Sequence, residues 1–159
     1  MVSSMITGSI LAKYEAAFAV IPLLVTFIPM LTDTGGNAGS QSSTMIIRGM
    51  AVGEIEAGDI LRVLWKELRV GIIVGILLGL VNYIQLLIRF PGQEMLCLTV
   101  VLSLLATVVI AKTIGCTLPI IAQILHLDPA IMAAPLITTI VDAVSLVVYF
   151  QLACSLLSI

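Results

Sequence analysis

Two aspartates lie inside long apolar stretches of the sequence, where a charged side chain is costly. Asp142 stands thirteen positions after Pro129, which places it about 20 Å along a helix that begins there. A carboxylate near the bilayer centre costs from about 3 to more than 10 kcal/mol unless it is paired or faces water. Because we expect no Lys or Arg inside a span, we interpret Asp142 as a functional group. Asp33 has two interpretations: a second such group, or the cap of a half-helix that starts at Gly35-Gly36.

Hydroxyl side chains recur around Asp142 at helical spacing, on a helix that otherwise consists mostly of Val, Leu and Ile. This predicted polar stripe contains Thr138, Thr139, Ser145 and Tyr149. Pro135 stands at its foot and has no N–H to donate to the carbonyl one turn earlier. We therefore expect a free backbone oxygen beside the stripe.

A second polar face follows the Gly35-Gly36 pair. Its members, spaced by four, three and four residues, are Asn37, Gln41, Thr44 and Arg48. Amide, hydroxyl, main-chain and carboxylate oxygens are hard ligands, suited to Mg²⁺ or Ca²⁺ and not to zinc or copper. The alternative for the amides and threonines is hydrogen bonding between helices.

Composition decides what must position these residues. The chain has 159 residues, of which 60% are hydrophobic and 10% charged, and its mean hydropathy is +1.24, so it belongs in lipid. Seven scattered basic residues and a net charge of −2 exclude a nucleic-acid partner.

The pattern predicts an all-α membrane protein with about five transmembrane helices, since a span needs about 20 apolar residues. The predicted segments are Met1 to Ala12, Ala16 to Met50, Val70 to Ile88, Leu96 to Ala111 and Asp128 to Leu157. The first is half a span, so the first helix is expected to be truncated. The second is expected to be broken or kinked at Gly35-Gly36, and the fourth to extend through a kink at Pro119 toward His126.

Glycines and basic residues predict packing and orientation. Gly71, Gly75 and Gly79 recur every four residues and predict close helix packing. Five basic residues are expected in the connections on one side: Arg48, Arg62, Lys66, Arg69 and Lys112. Lys13 and Arg89 are expected on the other side, so the first side is predicted to be cytoplasmic and the C-terminus outside. The connection from Gly53 to Glu67 is expected to be a solvated segment of mixed charge.

Two stretches of the sequence resemble the MgtE-type magnesium channels. The first runs from Pro29 to Ser42 and continues with Arg48-Gly49 and Gly53-Glu54. The second consists of Leu118-Pro119, Asp128-Pro129-Ala130, Pro135-Leu136-Ile137, Thr139 and Asp142. These polar motifs in an apolar setting are similar to the family's second helix and to its fourth and fifth helices, and the likeness covers nearly the whole chain.

The resemblance implies a homodimer in the plasma membrane, with five helices per protomer and a pore on the two-fold axis. Asp142 falls on the family's pore aspartate, which recognises hydrated Mg²⁺, and Asn37 falls on a pore asparagine. Thr138 replaces the usual alanine, whose main-chain carbonyl serves the pore. Residues 1–159 are expected to form a single transmembrane pore domain. Its further pore-lining candidates are Gly36, Gln41, Thr44, Pro135, Thr139 and Ser145. The family's cytosolic magnesium-sensing domains are not in this sequence and are expected in the full-length protein.

Other functions remain open at the level of the sequence. A secondary transporter of another cation or small solute also suits broken helices and a midplane aspartate. An intramembrane aspartyl protease would use Asp33 and Asp142, but Ile140-Val141 stands where its Gly-x-Gly turn belongs. We therefore predict a transport protein and not an enzyme.

Overall fold

The chain folds into helices joined by short turns. The computed structural model describes residues 2–132 and 134–157, which contain no β-strand. The helices are α1 (Val2–Lys13), α2 (Glu15–Val20), α3 (Ile28–Ala51), α4 (Ile60–Arg89), α5 (Glu94–Ile124) and α6 (Ala134–Leu157). Short 3₁₀ turns cover Pro22–Phe27, Ala57–Asp59 and Pro129–Met132. The predicted all-α fold class is confirmed.

Three helices are long and apolar enough to cross a membrane: α4, α5 and the Pro135–Leu157 part of α6. Helix α3 has 24 residues, which corresponds to about 36 Å. Its polar residues lower its hydropathy, so composition alone does not identify it as a span. It packs against both α5 and α6, however, and so shares their layer.

The interruption expected between Ala16 and Met50 lies before α3. Pro22 opens a 3₁₀ turn, and α3 then runs from Ile28 without a gap through Gly35 and Gly36. A bend at the glycine pair stays a prediction. Because Phe27 is the N-cap of α3, Asp33 lies within the helix, and its interpretation as a cap is wrong.

The predicted start of the last helix is also corrected. The Asp128 carboxylate accepts a hydrogen bond of 2.9 Å from the Ala130 N–H, but this cap belongs to the 3₁₀ turn and α6 begins at Ala134. A helix continuing from Pro129 would lose a backbone bond at Pro135, which has no N–H to donate. Ala133, like Met1, Ser158 and Ile159, lies outside the described residues.

The core between α3, α5 and α6 is apolar and tightly packed. Its central cluster consists of Ala38, Val108, Ala111, Ile137 and Val141. Two further apolar clusters lie along the helices, a larger one around Leu31, Val100 and Phe150 and a smaller one around Ile46, Val63 and Ile120.

Glycines set the spacing between α4 and α5. A Cβ added to Gly71 or Gly75 would lie 3.3 Å from the Cα of Val109 or of Leu105. Gly79 faces Val101 in the same way. The glycine row thus packs against a helix of its own chain, at a separation that larger residues would prevent.

Candidate functional site

A polar cleft of about 310 Å³ lies between α3 and α6. Its lining residues come from these two helices alone: Pro29, Thr32, Asp33, Gly36, Asn37, Thr138 and Asp142. The structure therefore brings together four of the predicted site residues, Gly36, Asn37, Thr138 and Asp142. Asp33, of uncertain role in the sequence, joins them.

Gly36 is what allows α3 to lie so close to the polar face of α6. A Cβ at this position would lie 3.3 Å from Thr138 Cγ2 and 3.9 Å from Asp142 Oδ1. The first distance is tighter than ordinary van der Waals contact. Gly36 thereby keeps the space in front of the carboxylate clear of side-chain atoms.

The two carboxylates of the cleft lie without a side-chain partner in the described part of the chain. Among the described residues, no side chain forms a hydrogen bond or an ion pair with Asp142 or Asp33. Asp142 is half-buried, whereas Asp33 and Asn37 are exposed. An unpaired carboxylate in a membrane helix must face water or a cation, because lipid cannot solvate it. The cleft thus offers hard oxygen ligands to a cation.

One chain does not surround an ion by itself. Within the described ranges, no group of three or more His, Cys, Asp or Glu side chains is placed to hold a metal ion. Asp33 and Asn37 belong to an exposed face of α3 that continues through Gln41, Thr44 and Arg48. A cation bound here would need further ligands, from its own water shell or from another chain.

Several predicted pore residues lie outside this cleft. Gln41 and Thr44 are exposed further along α3, and the Thr44 hydroxyl donates to the Ser40 carbonyl of its own helix over 2.9 Å. Thr139 donates to the Pro135 carbonyl over 2.8 Å, and Thr138 donates to the same oxygen over 3.1 Å.

Pro135 does not leave a free backbone oxygen beside the polar stripe in the way that the sequence predicted, because of its place in α6. It is the second residue of the helix, where its missing N–H would have had no intrahelical partner. It therefore frees no carbonyl in the interior of α6. Its own carbonyl instead accepts hydrogen bonds from the hydroxyls of Thr138 and Thr139.

The predicted stripe on α6 divides into two parts. Thr138 and Asp142 line the cleft, whereas Ser145 and Tyr149 are buried. The Tyr149 hydroxyl donates to the Leu24 carbonyl over 2.9 Å. Tyr149 lies only about 20° around the helix from Asp142, but the 3₁₀ turn Pro22–Phe27 covers the stripe at that level. Helical spacing cannot reveal this cover.

Sequence reasoning missed Pro29 and Thr32, which line the cleft two turns and one turn before Gly36. The Thr32 hydroxyl bonds to the Ile28 carbonyl at 3.0 Å and to the Pro29 carbonyl at 3.2 Å. Pro29 and Thr32 are three residues apart and stand seven and four residues before Gly36, and this helical spacing was a usable signal. The expected break at the glycine pair hid it, because it placed these residues on a separate segment.

A second polar cluster, which we term the buried node, joins three helices. It consists of Ser42 of α3, Glu67 of α4 and Lys112 of α5. The Ser42 hydroxyl donates to Glu67 Oε2 over 2.5 Å, and Lys112 Nζ lies 3.3 Å from the same oxygen and 3.2 Å from Ser42 Oγ. The sequence-based placements of Glu67 in a solvated connection and of Lys112 between two spans are therefore wrong.

The placement of Glu67 failed because the span that became α4 was bounded too narrowly. The expected extension of the fourth helix through Pro119 is confirmed, but Lys112 was nevertheless assigned to a connection. Helix α4 begins at Ile60 and α5 continues to Ile124, so both charges lie within helices. In the folded chain Glu67 and Lys112 neutralise each other, which makes their burial tolerable. Lys112 is thus a basic residue in an apolar span, but its partner is Glu67 and not Asp142.

Fold and cleft together define a helical membrane protein with an unpaired carboxylate site between two of its helices. A family model described as "MgtE: Divalent cation transporter" matches residues 28–152. The chain belongs to this family. The family is one of transporters and not of enzymes.

Similar proteins carry the same family name. The chain is 34% identical to the magnesium transporter MgtE of Thermus thermophilus over 99% of its own length and 34% of the relative. It is 36% identical to the magnesium transporter MgtE of Bacillus subtilis over 94% of its own length and 33% of the relative. The corresponding protein of Enterococcus faecalis is 29% identical over 94% of this chain and 33% of the relative. The chain thus spans about a third of the length of these relatives.

Proposed function

We propose that two copies of this chain form a pore for divalent cations, with hydrated Mg²⁺ as the preferred ion. The observation that carries the proposal is the Asp142 carboxylate, which lies in a polar cleft between two membrane helices with no side-chain partner among the residues that the structure describes. The similarity to magnesium transporters supports Mg²⁺ as the cargo. Helices α3 and α6 line the pore in this proposal.

The exposed face of α3 supports an assembly of two copies. Polar and charged side chains occupy it from Asp33 to Arg48, and lipid would leave them without hydrogen-bond partners. A two-fold axis along this face covers it with its own symmetry mate. It also brings a second Asp142 to the pore, so that two carboxylates face one divalent ion. Gln41 and Thr44 then continue the pore beyond the cleft.

The cleft suits an ion that keeps its water. Mg²⁺ dehydrates reluctantly and prefers octahedral geometry at about 2.1 Å, so one carboxylate per chain is too few ligands to strip it. The waters donate hydrogen bonds to Asp142, to the side-chain oxygen of Asn37 and to the Thr138 main-chain carbonyl. Selection then depends on the size and rigidity of the hydrated ion, which disfavours the looser shell of Ca²⁺.

The proposed orientation, with the connection between α3 and α4 in the cytoplasm, does not depend on Lys112. Without that residue, the connection between α3 and α4 and its flanks still carry Arg48, Arg62, Lys66 and Arg69, against Lys13 and Arg89 on the other side. The positive-inside rule places the larger group in the cytoplasm. The C-terminus of α6 then faces outward across the plasma membrane.

Reconstitution into liposomes tests the proposal. We expect Mg²⁺ influx through the purified chain and a loss of about tenfold or more in Asp142→Asn, since a charge-assisted interaction contributes about 1.5–3 kcal/mol. The matched control is Glu54→Gln, an exposed carboxylate beyond the end of α3, which should leave influx unchanged. Cobalt hexammine, whose ligands do not exchange, should block influx through the wild type.

Two results would count against the proposal. Equal influx in wild type and Asp142→Asn removes the site assignment. Influx that requires a proton or sodium gradient replaces the pore with a coupled transporter.

A further inference from the structure

The buried face of α3 is unusually smooth for a helix that must hold a precise position. Its buried residues are Leu31, Gly35, Gly36, Ala38, Gly39, Ser42, Ser43, Ile46 and Gly49. Small side chains allow close approach but form shallow ridges, so they restrain sliding and rotation only weakly. A directional contact on this face would therefore add to the packing in fixing the register of α3 against its neighbours.

The buried node is the polar connection at the middle of this smooth face. Among the described residues, the interhelical side-chain hydrogen bonds of α3 are those of Ser42 and one from Asn82 to the Met30 sulfur. Ser42 is fully buried, and Glu67 and Lys112 have side-chain exposures of 7% and 9%. Hydrogen bonds to charged groups in such a setting are strong and directional.

Two glycines beside the node lack the side chains that would crowd its members and the helix backbones around it. Gly71 lies one turn after Glu67 on α4, and a Cβ there would lie 3.5 Å from Lys112 Cδ. The lysine stem therefore crosses α4 over Gly71 and reaches the carboxylate one turn away. On α3, Gly39 lies one turn before Ser42, and its added Cβ would lie 3.2 Å from the Ala111 carbonyl oxygen. The node thus sits where the backbones of α3 and α5 approach closely.

We propose that the buried node fixes the register of α3, and that Ser42 is a positioning residue for the cation cleft. Ser42 lies on the buried face of α3, opposite the exposed face that carries Asn37. A translation of α3 by the rise of one residue displaces Asn37 by about 1.5 Å relative to Asp142, enough to spoil a shared water shell. The predicted effect of Ser42 on transport rests on the proposed function, whereas its predicted effect on the register of α3 does not.

Ser42→Ala and Ser43→Ala form a matched pair for the test. Both serines are buried on the same turn of α3. Within the described ranges the Ser43 hydroxyl has no hydrogen-bond partner, so its removal controls for the loss of one oxygen atom at a buried position. Only Ser42→Ala takes α3 out of the node, and it leaves the Glu67–Lys112 ion pair in place.

A disulfide trap reads the register without any transport. A Cβ at Gly36 would lie 3.8 Å from Thr138 Cβ, which is close to the average Cβ separation of about 3.8 Å in disulfides. In Gly36→Cys/Thr138→Cys, mild oxidation should link α3 to α6, and mass spectrometry of the linked peptide separates this bond from links to Cys97, Cys116 or Cys154. We expect the initial rate of linking to fall roughly threefold to tenfold when Ser42→Ala is added, and to be unchanged with Ser43→Ala.

Transport measurements add a second readout. In liposomes, Ser42→Ala should raise the half-saturating Mg²⁺ concentration roughly threefold to tenfold and reduce the preference for Mg²⁺ over Ca²⁺, whereas Ser43→Ala should do neither. Equal linking rates in the two serine variants overturn the proposal, even if the chain conducts Mg²⁺. If linking responds to Ser42→Ala but no chain conducts any divalent ion, the register role stands and the proposed function falls.

Discussion

Helix α3 carries two polar sites of opposite character on opposite faces. In the buried node, one carboxylate and one ammonium lie 3.3 Å apart and share a serine hydroxyl. In the cleft, Asp33 and Asp142 have no side-chain partner among the described residues, and the α3 side of the cleft is exposed. The node is neutral and satisfied, whereas the cleft is negative and unsatisfied.

The difference separates structural from ligand-binding charges in a membrane. Residue type does not do so, because each site contains carboxylates in or beside apolar helices. What differs is whether the folded chain supplies the counter-charge. A site that lacks one within the protein obtains it from outside, and a cation is the simplest source.

The largest expected effect comes from breaking the node on one side. Lys112→Met leaves Glu67 buried without its counter-charge, which should lower the free energy of unfolding by about 3–5 kcal/mol. The double variant Lys112→Met/Glu67→Gln removes both charges and should recover most of that loss. Denaturant unfolding in mixed micelles measures both.

Lys66→Met is the control for this variant, because Lys66 is exposed on the same side of the protein. Its removal should change stability by less than about 0.5 kcal/mol. A double variant as unstable as Lys112→Met would show that the charge pair is not the cause.

The next largest effect is expected from removing the Asp142 carboxylate of the cleft. In the proposed function Mg²⁺ binds only the folded chain, so at one hundred times its dissociation constant it should stabilise the wild type by about 2.7 kcal/mol. Asp142→Asn should lose this gain while its stability without metal stays the same or rises, since an unpaired charge has been removed. Thermal unfolding in detergent, with and without Mg²⁺, is the measurement. A lower stability of Asp142→Asn without metal would mean that the carboxylate has a structural partner.

The sequence predicted the cleft better than the node, for a physical reason. A polar residue stands out in an apolar segment, and this made Asp142 and Asn37 conspicuous. Gly36 stood out as one of a pair of glycines. Glu67 and Lys112 are 45 positions apart, and each stands near the end of a predicted span. Nothing local indicates that they meet, because only the packing of α4 on α5 brings them together.

The fold could be predicted as a set of helices but not in its boundaries. The extension of α5 through Pro119 was predicted, but the charged first turns of α4, from Ile60 to Arg69, were not, because a helix continues beyond the apolar stretch that marks it. The division of the α6 stripe was also hidden. Tyr149 lies in the core because the 3₁₀ turn at Pro22–Phe27, far away in the sequence, accepts its hydrogen bond. Ser145 is buried beside Gly35 of α3.

A smaller effect is expected from narrowing the cleft without changing its charge. Gly36→Ala places a Cβ 3.3 Å from Thr138 Cγ2, a contact that a small shift of the threonine can relieve, so stability should change by about 1 kcal/mol or less. Mg²⁺ influx should nevertheless fall several-fold, because the methyl group enters the space in front of Asp142. Gly8→Ala in α1, where nothing lies within 4 Å, is the control. Unchanged influx in Gly36→Ala would place the ion elsewhere.

The smallest effect concerns Asp33, which is exposed at the cleft. Two unit charges 4 Å apart interact by only about 1 kcal/mol in water, and an exposed carboxylate attracts cations mainly by raising their local concentration. Asp33→Asn should therefore reduce Mg²⁺ influx about threefold at low ionic strength, and hardly at all at about 1 M monovalent salt, where charges are screened within about 3 Å. Asp33→Glu, which keeps the charge, should behave as the wild type at every ionic strength. Influx measured across a salt series thus distinguishes a distant attraction from direct contact with the hydrated ion. A loss that persists at high salt, or that equals the loss in Asp142→Asn, would make Asp33 part of the binding site itself, because a hydrogen bond to the water shell is not screened by bulk salt.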